Sequence, residues 1–325
     1  MSRTDGSRHG FGRHAHPIRP ADRRPEPGLA TVEMINAEVA HAAEAGLGEG
    51  CVWSPVEDLL VWVDINGKAV HRFDHVSGQP VGLWRYPETV GNAAIRAGGG
   101  LALGLGASVT LTDQVGAIET VIQLPGEPET NRANDGAVDP RGRLFQGTMS
   151  NTEPGSPVAG LHRVDGDGTA RRVLSDVMIS NGIGWSPDQS TMYYIDTLTF
   201  RVDQFDYDPD TGEIEGRRPF VTFDGSAGAP DGMTVDADGC LWVAMFGGSG
   251  VQRFSPSGEQ LETVVTPGAP QTTCCCFGGP DLDTLYITTA ADSIAGVETE
   301  GESNSGALFA ADVDAAGLPT NLFAG

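Results

Sequence analysis

NGIGWSPDQSTMYYIDTLTFRVDQFDYDPDTG (residues 181–212) is the stretch that decides the fold. It opens on a polar–small pair, Asn181-Gly182, and runs through a short apolar segment to the turn at Ser186-Pro187. A second apolar run, MYYIDT, and a third, RVDQFDYD, follow it, and the unit closes in an Asp- and Gly-rich turn. Each run is strand-length and none shows i, i+3, i+4 apolar spacing, so the unit reads as hairpin after hairpin rather than as helix.

The unit is one of six. Its central anchor, Tyr194, has counterparts in Trp62 (LLVWVD), Leu103 (LALGLG), Leu144 (RLFQGT), Trp242 (LWVAMF) and Tyr286 (LYITTA), spaced 41, 41, 50, 48 and 44 residues in chain order. Periods of about 40–50 residues built from several strands mark propeller blades, because one small twisted sheet cannot bury both faces without neighbours. The sequence therefore predicts an all-β protein, a six-bladed β-propeller over residues 31–325. Residues 1–30, rich in Arg, His, Pro and Gly and without apolar periodicity, read as a disordered N-terminal tail.

Upstream of each anchor lies an equivalent position in the repeat, occupied by Glu49, Asn92, Asn134, Asn181, Asp231 and Thr273. The innermost strand of each blade lines the propeller axis, so these six residues are expected to converge at one end of the central channel. Turn chemistry explains an Asn or Asp before a strand at any one of these places, but not the long carboxylate of Glu49 in the same register. Two carboxylates and three amides converging there call for a cation, and all-oxygen ligation without histidine suits Ca²⁺, Mg²⁺ or Mn²⁺. His71, His75 and His162 fall outside these positions and are read as surface or structurally satisfied residues.

Composition narrows the partners. A net charge of −24 repels nucleic-acid backbones and anionic membranes. No apolar run reaches the length of a membrane-spanning helix. Arg23-Arg24 is followed by Pro-Glu-Pro-Gly instead of the apolar segment an export signal needs. The five cysteines, Cys51, Cys240 and the run 274–276, have neither zinc-site spacing nor the pairing of a secreted framework. They are read as reduced, packed thiols of a cytoplasmic protein.

The segments GEGCVW (48–53), NRANDGAVDPRGRLFQGTM (131–149), ISNGIGWSPD (179–188), YYIDTLTFRVDQFDYDPDTGEI (193–214), PDGMTVDADGCLWVA (230–244) and TTCCCFGG (272–279) together resemble the family of regucalcin (senescence marker protein), gluconolactonases and luciferin-regenerating enzyme. The resemblance runs from about Val32 to Gly325. It implies one divalent ion held by Glu49, Asn181 and Asp231: Ca²⁺ first, with Mg²⁺, Mn²⁺, Zn²⁺ or Fe²⁺ as alternatives. It implies substrate contacts from Arg132 and Asn134, and hydrolysis of a small-molecule sugar lactone of gluconolactone, xylonolactone or arabinonolactone type. Some members carry acidic substrate contacts after the Gly-Thr-Met motif, where this chain has Ser150-Asn151-Thr152.

A lactone is an activated ester, so its opening needs a polarised carbonyl and a deprotonated water. Asp231 is the expected general base. No G-x-S-x-G elbow is present to support a serine nucleophile. The competing readings are a metal-dependent phosphotriesterase or aryl esterase, and a non-catalytic calcium-binding propeller.

Overall fold

The computed structural model describes residues 32–325; the tail assigned to residues 1–30 lies outside them. Twenty-five strands and one short 3₁₀ turn, Thr197–Thr199, make up its regular structure, with no α-helix among the described residues. The strands form six sheets, each with a core of three or four consecutive antiparallel neighbours. These are the six blades, beginning at residues 48, 90, 131, 180, 229 and 272.

The blades pack because their anchors fill the spaces between them. Trp62, Leu103, Leu144, Tyr194 and Trp242 are all but completely buried, and Tyr286 nearly so. They fall in five of six apolar clusters, each cluster shared by two neighbouring blades. Every sheet thus buries both faces against its neighbours, the condition under which a repeat too small to fold alone becomes stable.

Two segments close the ring in ways the repeat does not announce. Leu308–Asp312, the last repeat strand of blade 6, pairs antiparallel with Glu38–His41 from the start of the described chain. Glu33–Asn36 adds a parallel strand to the outside of blade 5. The first and last blades are thereby stitched together, and exposed sheet edges at the seam are covered.

The C-terminal segment runs across one end of the channel. Phe323, fully buried, sits in the cluster between blades 2 and 3. Its N–H donates to Ile95 O (2.8 Å) and its O accepts from Ala97 N (2.8 Å). Leu318 packs in the cluster between blades 4 and 5. Between this strap and the middle of the inner strands lies an axial cavity of about 430 Å³, floored by residues 318–321.

The inner strands are Gly48–Ser54, Val90–Ile95, Asn131–Val138, Ser180–Trp185, Ala229–Val235 and Thr272–Gly278. Each contacts the next around the ring, the sixth closing on the first. All six break register near their start: between Glu49 and Val52, Val90 and Ala93, Ala133 and Gly136, Ser180 and Ile183, Pro230 and Met233, and Thr272 and Cys274. A bulge inserts an unpaired residue and re-aims its side chain, and such features are enriched beside functional sites. Five of the six positions singled out in the repeat are skipped by the ladder at these breaks, and Glu49 is the last paired residue before its own.

Candidate metal centre and substrate cleft

Glu49, Asn134, Asn181 and Asp231, one from each of four blades, are buried at the bulged end of the inner strands. Gly50, directly after Glu49, takes φ +53°, a left-handed conformation that suits glycine. A Cβ there would also approach the backbone of Asn92 at 3.3 Å. The Gly50 N–H donates to Glu49 Oε2 (3.0 Å), fixing one oxygen of the carboxylate.

A chain of hydrogen bonds orients the amides. Arg132 Nη1 donates to Asn134 Oδ1 (2.6 Å) and to Ala133 O (3.0 Å). With its oxygen engaged, Asn134 turns Nδ2 to Asn181 Oδ1 (2.9 Å) and Ser180 O (2.8 Å). Asn181 in turn donates from Nδ2 to Thr197 Oγ1 (2.7 Å). Between the two amides Asn181 thus presents its oxygen and Asn134 its nitrogen, so Asn181 suits a ligand role and Asn134 a supporting one.

The remaining two repeat positions have other duties. Thr273 Oγ1 donates to Gly48 O (2.5 Å), tying blade 6 to blade 1. Asn92 reaches across to Gly136 O (3.4 Å) in blade 3 and leaves its Oδ1 without a partner. Neither His71, stacked on Trp62 at 3.9 Å, nor His162, bonded to Pro125 O (3.2 Å), nor His75, edge-on to Trp53, belongs to the centre. All five thiols are buried and free.

Three residues of evident importance escaped the sequence reading. Asp135 faces the axial cavity immediately after Asn134. Asp64 accepts from the N–H groups of Gly46 (3.1 Å) and Leu47 (3.0 Å), and Asp196 accepts from Met178 (3.2 Å) and Ile179 (3.0 Å). These two carboxylates end the LLVWVD and MYYID runs and fix the chain just before Glu49 and Asn181. Their shared place in the repeat was the signal that could have found them.

The electrostatics of the centre are unbalanced. Burial pushes the Glu49 carboxyl up to about 8, with the Asp135 charge adding to the shift while the Gly50 N–H and Arg132 oppose it. Asp231 is driven well above the carboxylate range by burial, then by the Glu49 and Asp135 charges, against Arg132 alone. Asp135 rises to about 6 through burial. Burial lowers Arg132 to about 10, so it remains a cation at neutral pH. Three carboxyls share one guanidinium, and no hydrogen-bond donor stabilises Asp231. Glu49, Asn181 and Asp231 offer an all-oxygen set of the kind a hard divalent cation takes, and such an ion would balance the charge.

A pH prediction follows from the raised carboxyls. In metal-stripped protein the folded state holds the Glu49 proton up to about pH 8, whereas the unfolded chain releases it near 4.5. Across that window the folded state binds more protons, so stability falls as pH rises. Scanning calorimetry is expected to show Tm decreasing from about pH 5 to about pH 8, with a divalent ion removing the decline at the upper end. A flat profile would show that the carboxyls are not buried together.

Arg132 also lines a cleft of about 370 Å³ together with Lys68, Glu88, Glu129, Asn131 and Asn151, among others. It gathers both charge signs and the only lysine of the chain. Asn151 lies on it, two residues after the Gly147-Thr148-Met149 run.

Fold and site define a six-bladed propeller with a buried carboxylate–amide centre on its axis. Residues 47–291 match the family described as SMP-30/Gluconolactonase/LRE-like region, and the chain belongs to that family. It is 37% identical over 303 residues to regucalcin of Xenopus laevis, covering 90% of this chain and 100% of the relative. It is 36% identical, over 90% of its length and 99% of the relative, to a Bacillus subtilis (strain 168) protein named "Putative sugar lactone lactonase YvrE". Among solved structures, a calcium-binding protein, regucalcin, from Agrobacterium tumefaciens superposes with a TM-score of 0.84 at 27% identity, covering 91% of this chain and 99% of that one.

Proposed function

We propose that this chain is a metal-dependent lactonase that opens a sugar aldonolactone to the aldonic acid. The observation that carries the reading is the convergence of buried, undercompensated carboxyls from Glu49 and Asp231 beside Asn181 and Arg132. Membership of a family that includes gluconolactonases supports it.

Glu49, Asn181 and Asp231 would hold the ion, Ca²⁺ in the first instance, and when bound it supplies Lewis-acid polarisation of the lactone carbonyl. Arg132, which lines the cleft, and Asn134, hydrogen-bonded to it, receive the substrate's hydroxyl and ring oxygens. Asp231, whose carboxylate accepts no protein hydrogen bond, takes the proton of the attacking water as that water's oxygen bonds to the carbonyl carbon. As the ring C–O bond breaks, Asp231 returns the proton to the departing ring oxygen, so the acid is regenerated as base for the next turnover. Burial of the site excludes bulk water and strengthens each of these contacts.

The charged rim of Lys68, Glu88 and Glu129 favours a polyol over the apolar leaving groups of aryl esters and phosphotriesters. No helix among the described residues is long and apolar enough to cross a membrane, and five unpaired thiols suit a reducing cytoplasm.

The test is a pH-indicator assay of metal-stripped protein against five- and six-membered aldonolactones, paraoxon and an aryl acetate. Ca²⁺, Mg²⁺, Mn²⁺, Zn²⁺ or Fe²⁺ would be restored singly. Turnover of at least one aldonolactone, dependent on added metal and exceeding turnover of the other esters, is expected. Preference for paraoxon would replace the reading with a phosphotriesterase. Metal binding without turnover of any substrate would leave a calcium-binding propeller.

A further inference from the structure

The bulge that carries Asn134 is held in place by a side chain on the adjacent strand. Gln146, on Leu144–Ser150 of blade 3, is fully buried. Its Nε2 lies 3.2 Å from Asn134 O, 3.3 Å from Asp135 O and 2.9 Å from Gly147 O. Asn134 and Asp135 are the two residues skipped where the register jumps from Ala133 to Gly136. Gln146 thus donates to both backbone carbonyls that the bulge takes out of the sheet ladder.

Gln146 pairs with the first residue after the bulge, Gly136. The same register position is apolar in three blades, with Val61, Leu103 and Val243, while Tyr194 in blade 4 and Thr288 in blade 6 bond Ser180 and Thr273 beside their own bulges. An apolar residue satisfies packing in those three blades, whereas the buried Gln146 amide makes its hydrogen bonds through Nε2 alone, its Oε1 being left without a partner. The glutamine occurs in the blade whose bulge carries Asn134, which is bonded to Arg132 two residues before it and to Asn181.

We propose that Gln146 is a positioning residue that sets the geometry of the Arg132–Asn134 arm and so governs how tightly the substrate is gripped. This rests on the reading that Arg132 and Asn134 contact the lactone. Gln146 bonds no residue of the metal set directly, so its effect belongs to substrate binding and not to metal affinity.

The experiment compares Gln146→Met, which keeps the length of the side chain and removes its donors, with the wild-type protein under saturating metal. KM for the best aldonolactone is expected to rise about tenfold with kcat changed less than about threefold, the pattern of lost ground-state binding. Metal affinity by calorimetric titration is expected to stay within about threefold. Hydrogen exchange is expected to accelerate within residues 131–138 and not in the other inner strands. A lowered Tm with KM and exchange both unchanged would overturn the proposal, since it would reduce Gln146 to packing. Should Gln146→Met fail to fold, Gln146→Glu, which retains one donor when protonated, serves in its place with the same expected directions. If the wild-type protein hydrolyses no lactone, the lactonase reading fails, and exchange within 131–138 alone decides whether Gln146 holds the arm.

Discussion

Asp231→Asn is expected to lower kcat by about 10²- to 10⁴-fold, the range supplied by a positioned general base, while the protein still binds its divalent ion. The amide keeps one oxygen in the ligand position and removes the proton acceptor. Asp231 suits this role because the bulge between Pro230 and Met233 points it away from the ladder, and no donor occupies its carboxylate. Parallel measurement of turnover and of metal affinity by calorimetry separates base from ligand. Unchanged turnover would remove Asp231 from the proton-transfer step, and simultaneous loss of metal and activity would assign it to ligation alone.

Arg132→Met carries the second large effect. The variant loses a charge-assisted hydrogen bond to Asn134, a class of contact contributing roughly 1.5–3 kcal/mol, so kcat/KM is expected to fall between about tenfold and about 10²-fold. Metal affinity should hold or tighten, because the guanidinium is the positive charge that Glu49 and Asp231 already feel and it repels any ion placed between them. Steady-state kinetics and a metal titration of the same preparation check both halves. A variant that lost its metal would instead make Arg132 a structural support of the ligand set.

The fold was legible because the repeat advertises itself. Trp62, Leu103, Leu144, Tyr194, Trp242 and Tyr286 are large or branched side chains at regular distance, and each lies buried between blades. The ring closure was not legible: Glu38–His41 is four residues long and finds its partner at Leu308–Asp312, a pairing without local trace. The C-terminal strap is likewise held by single bridges, Arg96 to Phe323 and Asp236 to Gly317, which leave no periodicity to read.

The polar positions show the same divide. Glu49, Asn181 and Asp231 stand out because a period aligns them, yet alignment alone gave Thr273 and Asn92 equal standing. Only the contacts show Thr273 committed to Gly48 O. Asp135 went unnoticed because it follows Asn134 directly, and in a regular strand neighbours face opposite ways. The bulge cancels that rule, leaving Asp135 close enough to raise both Glu49 and Asp231.

Calorimetric titration of the metal-stripped protein with Ca²⁺ in two buffers of different ionisation heat tests the central claim most directly. One ion per chain is predicted, with protons released near neutral pH as Glu49 and Asp231 exchange them for the cation, and with both binding and release lost in the doubly substituted Glu49→Gln, Asp231→Ala protein. Binding that persists undiminished in that variant, or no binding of any divalent ion to the wild-type chain, would contradict it.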